Sequence, residues 1–424
     1  MSDFPKLLDP DLALASELFD QLAEETRKGE GIERDAYGAG EQAAHDIIRR
    51  AGEFLDLEIH TDAALNLYLT YPGTDRSLPS MIIGSHLDSV PQGGNFDGAA
   101  GVVAGLAVFA GFRRSDYYPP CDVTVMAIRA EEAVWFDVPY IGSYAAFGEL
   151  PAKSLEVTRS DSGRSLAEHM GEAGCNLDAI RAGEAYLNSE QLRAYIELHI
   201  EQGPSLVNFD RPVGIVSAIR GNLRYRNARC LGQYGHSGAL SRGQRRDAVA
   251  ATTSLIHHLN QTWDHFEAGN HDLIFTVGEL TTDPAFHGPS KVAGETRFVL
   301  DFRSTDEKVM HRMAKCAEQE AERLEEDAGV TFDLGTPSFC EAAQMDEEII
   351  AELGSLAEEL KISAVKMTSG AGHDAVVFAN FGVPSAMIFV RNQHGSHNPK
   401  ESMNMSDFSK AARLLSAYLI TMLD

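Results

Sequence analysis

Positive charge, paired cysteines and long apolar runs are all scarce in this chain. Its 424 residues hold 36 Lys and Arg against 63 Asp and Glu, a formal charge of −27. No basic stripe is available for a polyphosphate backbone or an anionic lipid face, so neither nucleic acid nor membrane is an expected partner, and a small molecule is. Most of the acidity serves solubility alone. The five cysteines (Cys121, Cys175, Cys230, Cys316, Cys340) are odd in number and include no CxxC pair. That argues against a disulfide framework and a cysteine-bound structural zinc, and for the cytoplasm. No apolar run approaches the ~18 residues of a membrane span. The stretch MSDFPKLLDPDLALASELFDQLAEET is acidic where a signal peptide needs positive charge, so export is not expected.

What is present has the composition of a folded protein, 44% hydrophobic and 23% charged, with its glycines and prolines scattered. A single core stops growing at roughly 250–300 residues, so two domains are expected. Helical periodicity covers 11–28 and 41–55, and then strand, loop and helix alternate: SMIIGSH (80–86), GAAGVVAGLAVFAGF (98–112), DVTVMAIRAEE (122–132), YIELHIEQGP (195–204). This order predicts an α/β domain with a mostly parallel sheet flanked by helices. After Pro212 the texture changes to β-β-α-β-β-α, which predicts an inserted α+β domain with a four-stranded antiparallel sheet and two helices. We place the insertion at 214–328 and the main domain at 1–213 and 329–424.

The stretch GSHLDSVPQGGNFDGAAG (84–101) puts His86, Asp88 and Asp97 among turn-forming residues just beyond a strand. In doubly wound sheets, ligands bind at the carboxyl ends of strands. Glu131 and Glu132 end the next strand, His199 lies in another, and His397 follows the last, in RNQHGSHNPKE. Three imidazoles and two or three carboxylates from separate loops are what a pair of divalent cations requires. The glycines let Asp97 be aimed between two ions, and Asp88 is near enough to orient His86 through its other ring nitrogen. In the Glu131-Glu132 pair one carboxylate binds metal and the other accepts a proton from water, which requires a turn there, because strand neighbours point to opposite faces. Asp374 of GAGHDA also reads as an acid at a helix start.

Taken together, GSHLDSVPQGGNFDGAAGV, RAEEAVWF, ELHIEQGP, GQYGHSG with RRDA, TVGEL, LDFRS, SGAGHDA and MIFVRNQHGSHNPKE resemble the amidase, hydantoinase and carbamoylase branch of the dinuclear-metal aminoacylase and carboxypeptidase superfamily. The resemblance spans about residues 80–402. It implies one metal each for His86 and Glu132, a bridging Asp97, His199 and His397 as the remaining ligands, and Glu131 as general base. It implies a lid and dimerisation role for the inserted domain, with His236 reaching a site to polarise the scissile carbonyl. Arg303 would clamp a substrate carboxylate, Gln202 would contact the carbamoyl or amide group, and His373 would face the substrate.

Two departures stand out. Ser290 begins SKVAG where relatives carry an asparagine, which alters one substrate contact, and Trp135 follows the glutamate pair, which is expected to bring a bulky ring near the metals. The implied enzyme is a cytoplasmic homodimer with two divalent ions per subunit, zinc or manganese, with nickel and cobalt also acceptable. It cleaves the carbamoyl C–N bond of an N-carbamoyl amino acid or related ureido acid. Rival readings are an allantoate amidohydrolase, an N-acyl amino acid deacylase or metallopeptidase and, from another class, a non-catalytic metal-dependent binding protein. Lid closure predicts hinges at 212–216 and 327–331.

Overall fold

The computed structural model describes residues 8–423. They divide into two units: one runs to Ser217 and resumes at Gln344, and the other is Ala218–Ala343.

The first unit is built on one mixed sheet. Its order is Ala343–Gln344, Val213–Ile219, Ser385–Val390, Leu192–Ile200, Ser80–His86, Val123–Ile128, Leu67–Tyr71, Glu58–Thr61, with Ala364–Ser369 also pairing with Val213–Ile219. Parallel pairing joins the central run of Ser385–Val390, Leu192–Ile200, Ser80–His86 and Val123–Ile128. The flanking strands are antiparallel. Only a short link separates Glu58–Thr61 from Leu67–Tyr71, and a parallel pair needs a crossover of a dozen residues or more. The central strands are buried along nearly their whole length, as expected for a sheet covered on both faces.

The helix Ala99–Arg114 has no polar face: every residue from Ala99 to Phe112 is buried. It packs on the Ser80–His86 strand and against the helices Leu12–Glu25 and Met405–Leu423. Gly101 permits that approach, since a Cβ there would meet the Leu198 carbonyl oxygen at 2.3 Å.

The second unit has the order Ile274–Thr282, Glu295–Ser304, Gly221–Leu231, and then a fourth row shared by two short strands, Thr331–Asp333 and Ser338–Cys340. Buried residues alternate along Glu295–Ser304, and Phe298, Leu300 and Phe302 pack with Leu255 and Leu259 of the helix Ala248–Ala268 and with Met310 and Met313 of Glu307–Ala328.

These bounds differ from the expected 214–328, for two physical reasons. Val213–Ile219, read as part of the insertion, is hydrogen-bonded into the first unit's sheet beside Ser385–Val390. Thr331–Asp333, read as the return to the main domain, stays paired with Gly221–Leu231. The segments named as hinges therefore lie inside the units, and the chain crosses at Ser217/Ala218 and Ala343/Gln344.

Candidate dinuclear metal centre

The carboxyl ends of the four parallel strands carry the chemistry. His86 is the last residue of its strand and His199 the penultimate residue of the adjacent one. Glu131 and Glu132 follow Val123–Ile128, and His397 lies beyond Ser385–Val390, in a loop closed by the pairing of Asn392–Gln393 with Ser402–Met403.

Among the described residues three groups of three side chains are close enough to hold a cation: His86, Asp97 and His199; Asp97, Glu132 and His397; and Glu197, His199 and His373, which shares His199 with the first. Asp97 belongs to the first two. Its Oδ1 lies 3.2 Å from His199 Nε2 and 3.7 Å from His86 Nε2. Its Oδ2 lies 3.4 Å from His397 Nε2, which is in turn 3.2 Å from Glu132 Oε1. One carboxylate thus faces two different ligand sets with its two oxygens.

The donor set fits cations. His86 Nδ1 is 3.1 Å from the Asp88 carbonyl oxygen and His199 Nδ1 is 2.8 Å from that of Ile200. Those contacts assign the ring protons to Nδ1 and leave the Nε2 lone pairs directed inward, only 3.5 Å apart. Gly98 N–H donates to His199 Nε2 at 3.1 Å, in agreement with that tautomer. Asp97 Oδ1 is buried beside them and accepts no hydrogen bond. Lone pairs converging in a buried site repel unless positive charge lies between them.

Proton affinities in the centre are shifted by burial and by neighbouring charge. Burial works against a charged His86, but its contact with Asp88 and the Glu131, Asp88 and Asp97 carboxylates raise its pKa well above the ordinary value. Burial and the neighbouring Glu132, Asp374 and Asp88 raise Glu131 in spite of His86. The Asp97 and Glu132 carboxylates push His397 up to about 11. Burial likewise raises Glu132, whereas for Asp97 burial is outweighed by His199, His397 and His86, which hold its carboxylate well below the ordinary value.

Local backbone geometry explains how neighbouring glutamates share one side. Ala130 sits at φ 52°, which turns the chain immediately after the strand. The Asp88 carboxylate then accepts both following amides, Glu131 N–H at Oδ1 and Glu132 N–H at Oδ2, each at 3.0 Å. Asp88 Oδ1 also lies 3.2 Å from His86 Nδ1, so it orients a ligand and the glutamate turn together. Glu131 Oε2 is 3.9 Å from His86 Nε2 and belongs to none of the ligand groups.

Gly98, between Asp97 and the helix, has φ 66°, and a Cβ would lie 2.6 Å from three atoms of the His86 ring. Gly98→Ala is expected to cost at least ~1 kcal/mol from backbone conformation alone and to displace His86. Bound metal per chain, read by atomic emission, should fall; full occupancy would show that the ring does not need this space.

Gln202 Nε2 donates to Asp97 Oδ2 at 2.9 Å, while Gln202 Oε1 is buried without a partner. His373 is buried behind His199: the rings meet edge-on at 4.5 Å, and His373 Nε2 lies 3.0 Å from Ser369 Oγ. Burial and His199 hold His373 well below the ordinary imidazole value, so it is neutral.

His236, Ser290 and Arg303 belong to the second unit. His236 is exposed and its Nδ1 accepts from Gly238 N–H at 3.1 Å. The Ser290 carbonyl accepts from Ser237 N–H at 2.8 Å, fixing the GHSG turn. Arg303 Nη2 is 3.0 Å from Asp301 Oδ2.

Trp135 is buried in a satellite core with Tyr37, Phe136, Leu155 and Leu166; its indole N–H donates at 2.9 Å to the carbonyl of Ser89, the residue after Asp88, and Arg159 stacks over it at 4.5 Å. Asp374 stands at the N-cap of the helix Ala375–Asn380, as expected of an acid at a helix start, but its side chain makes no capping hydrogen bond: it accepts from Ser143 Oγ, and its other oxygen is buried and unpaired.

Sequence reasoning missed Arg34, Glu197, Ser396 and Glu401. Glu197 is buried two residues before His199, bonded to Ser85 Oγ at 2.7 Å and Ala375 N–H at 2.8 Å. The polar residues at 197, 199 and 201 in an otherwise apolar strand were its signal.

Comparison with known proteins places this geometry in a class. The sequence profile of peptidase family M20/M25/M40 matches residues 82–421, and the chain belongs to that family. It is 34% identical to an N-carbamoyl-L-amino acid amidohydrolase of Geobacillus stearothermophilus, over 91% of this chain and 92% of that one. It is 32% identical to an allantoate amidohydrolase of Escherichia coli, over 86% of each. A crystal structure of an amidase of the hydantoinase/carbamoylase family from Burkholderia vietnamiensis superposes with a TM-score of 0.79 at 26% identity, covering 99% of both chains. Within the family the chain sits in the hydantoinase/carbamoylase branch, and it is a metal-dependent hydrolase. No helix among the described residues is long and apolar enough to cross a membrane.

Proposed function

We propose that this enzyme hydrolyses the carbamoyl C–N bond of an N-carbamoyl amino acid or a related ureido acid. The observation that carries the reading is the shared Asp97 carboxylate between two ligand groups, with Glu131 beside them and outside both. His86, Asp97 and His199 hold one divalent cation, and Asp97, Glu132 and His397 the other. Zinc and manganese suit imidazole and carboxylate donors, and nickel and cobalt are acceptable to the same set. Bound cations polarise a carbonyl and make water more acidic.

Glu131 accepts the proton of the attacking water at its carboxylate and returns it to the leaving nitrogen. Asp88 keeps His86 and the glutamate turn in register for that transfer. Gln202 contacts the carbamoyl group with its unpaired Oε1, and His373 supports the substrate side of His199. In the second unit, His236 donates to the developing oxyanion, Arg303 exchanges its contact with Asp301 for the substrate carboxylate, and Ser290 lines the substrate. That unit acts as lid and dimer contact in a cytoplasmic homodimer, a compartment consistent with five free thiols.

The test is turnover by zinc- or manganese-loaded protein on matched N-carbamoyl and N-acyl amino acids and on allantoate, with free amine and ammonia both quantified. Ammonia and amine in equal amounts from the carbamoyl compounds are expected. Ammonia without free amino acid from allantoate alone moves the reading to allantoate hydrolysis, which the Escherichia coli relative favours. Amine without ammonia from the acyl compounds makes the enzyme a deacylase.

A further inference from the structure

Arg34 is a fully buried arginine, and its hydrogen bonds go to neutral oxygens. Nε donates to the Leu87 carbonyl at 2.6 Å, Nη1 to Asn95 O at 3.4 Å and Oδ1 at 3.3 Å, and Nη2 to the Asp97 carbonyl at 3.2 Å. Leu87 follows His86, so one planar fork spans the backbone beside two ligands of the first cation group. Burying a guanidinium without a directly bonded carboxylate is costly, and a hydrophobic residue would serve mere packing better.

The N–H side of Asp97 is held by a carboxyl group. Glu401, also buried, accepts the Phe96 and Asp97 N–H groups at 2.8 and 3.3 Å through Oε1. Its Oε2 lies 2.6 Å from Ser396 Oγ, and that hydroxyl also meets Asp97 Oδ2. Ser396 immediately precedes His397. Arg34 thus fixes Asp97 relative to His86, while Glu401 and Ser396 fix it relative to His397.

We propose that Arg34, Glu401 and Ser396 form a cradle of positioning residues that grips the Asp97 peptide from both sides, so that its two carboxylate oxygens face different imidazoles. The inference rests on the two-cation reading of the centre. A lysine at position 34 keeps the charge and loses the fork, because one ammonium cannot reach Leu87, Asn95 and Asp97 in the same plane. An alanine at 396 removes only the hydroxyl on the His397 side.

The experiment is a stepwise zinc titration of the chelator-stripped full chain against a competing chromophoric chelator, with a melting curve of each metal-free protein as the folding control. Wild type is expected to take two equivalents. Arg34→Lys should weaken both steps, and Ser396→Ala at least one of them, by ~10–100-fold, the usual loss when a ligand's supporting contact is removed. Folded variants with wild-type zinc affinities at both steps overturn the cradle and leave the two-cation reading standing. Wild-type protein that binds fewer than two zinc ions overturns that reading, and the cradle with it. If Arg34→Lys melts without a cooperative transition, Ser396→Ala decides by the same criterion.

Discussion

Replacing Glu131 by glutamine lowers kcat by ~10²–10⁴-fold, the range that general acid–base catalysis contributes, and leaves two metal ions per chain in place. The substitution changes one oxygen for an amide and disturbs little else. The Glu131 backbone N–H keeps its bond to Asp88, and the side chain is outside both ligand groups. What disappears is the proton acceptor of the proposed reaction. Steady-state kinetics with metal analysis on the same preparation checks this. A variant that loses metal assigns Glu131 to the ligand shell, and one that keeps its kcat removes it from the reaction.

Stripping the metals has the second large effect. Asp88, Asp97, Glu131 and Glu132 are all buried close to one another beside His86 and His199. Cations that bind the folded state alone stabilise it by about 2.7 kcal/mol at a concentration 100 times Kd. Chelation is therefore expected to abolish turnover and lower the melting temperature, with zinc or manganese restoring both. A stripped protein that still turns over substrate, or melts unchanged, would show that the centre works and folds without ions.

The parts of this site that were legible in the sequence are those marked by a change of texture. His86 closes a run of apolar β-formers, and Asp97 stands in glycine just before a helix of small residues. These contrasts follow from period and turn chemistry. Strand direction was harder, because the apolar run of Leu67–Tyr71 reads the same whether it pairs parallel or antiparallel. Its partner was decided by the short link behind it. Val213–Ile219 was misplaced for a related reason: residue pattern tells that a strand is buried but not in which sheet.

Arg34 and Glu401 gave no signal. Each stands beside other charged residues, Arg34 between Glu33 and Asp35 and Glu401 after Lys400, and their meaning comes from segments far apart in sequence meeting at Asp97. The left-handed turn at Ala130 that aligns the glutamates leaves the Trp135 indole bonded to the Ser89 carbonyl, one residue from Asp88.

The two points where the chain leaves and re-enters the first unit are hydrogen-bonded neighbours: Met345 N–H donates to the Ser217 carbonyl at 3.1 Å, and Ala343–Gln344 lies along Val213–Ile219 at the sheet edge. Entry and exit therefore form a neck that a tight turn would close. A segment joined in this way is a natural unit of genetic exchange, because its gain or loss opens or seals one hairpin and leaves the parallel strands that carry the metal ligands untouched.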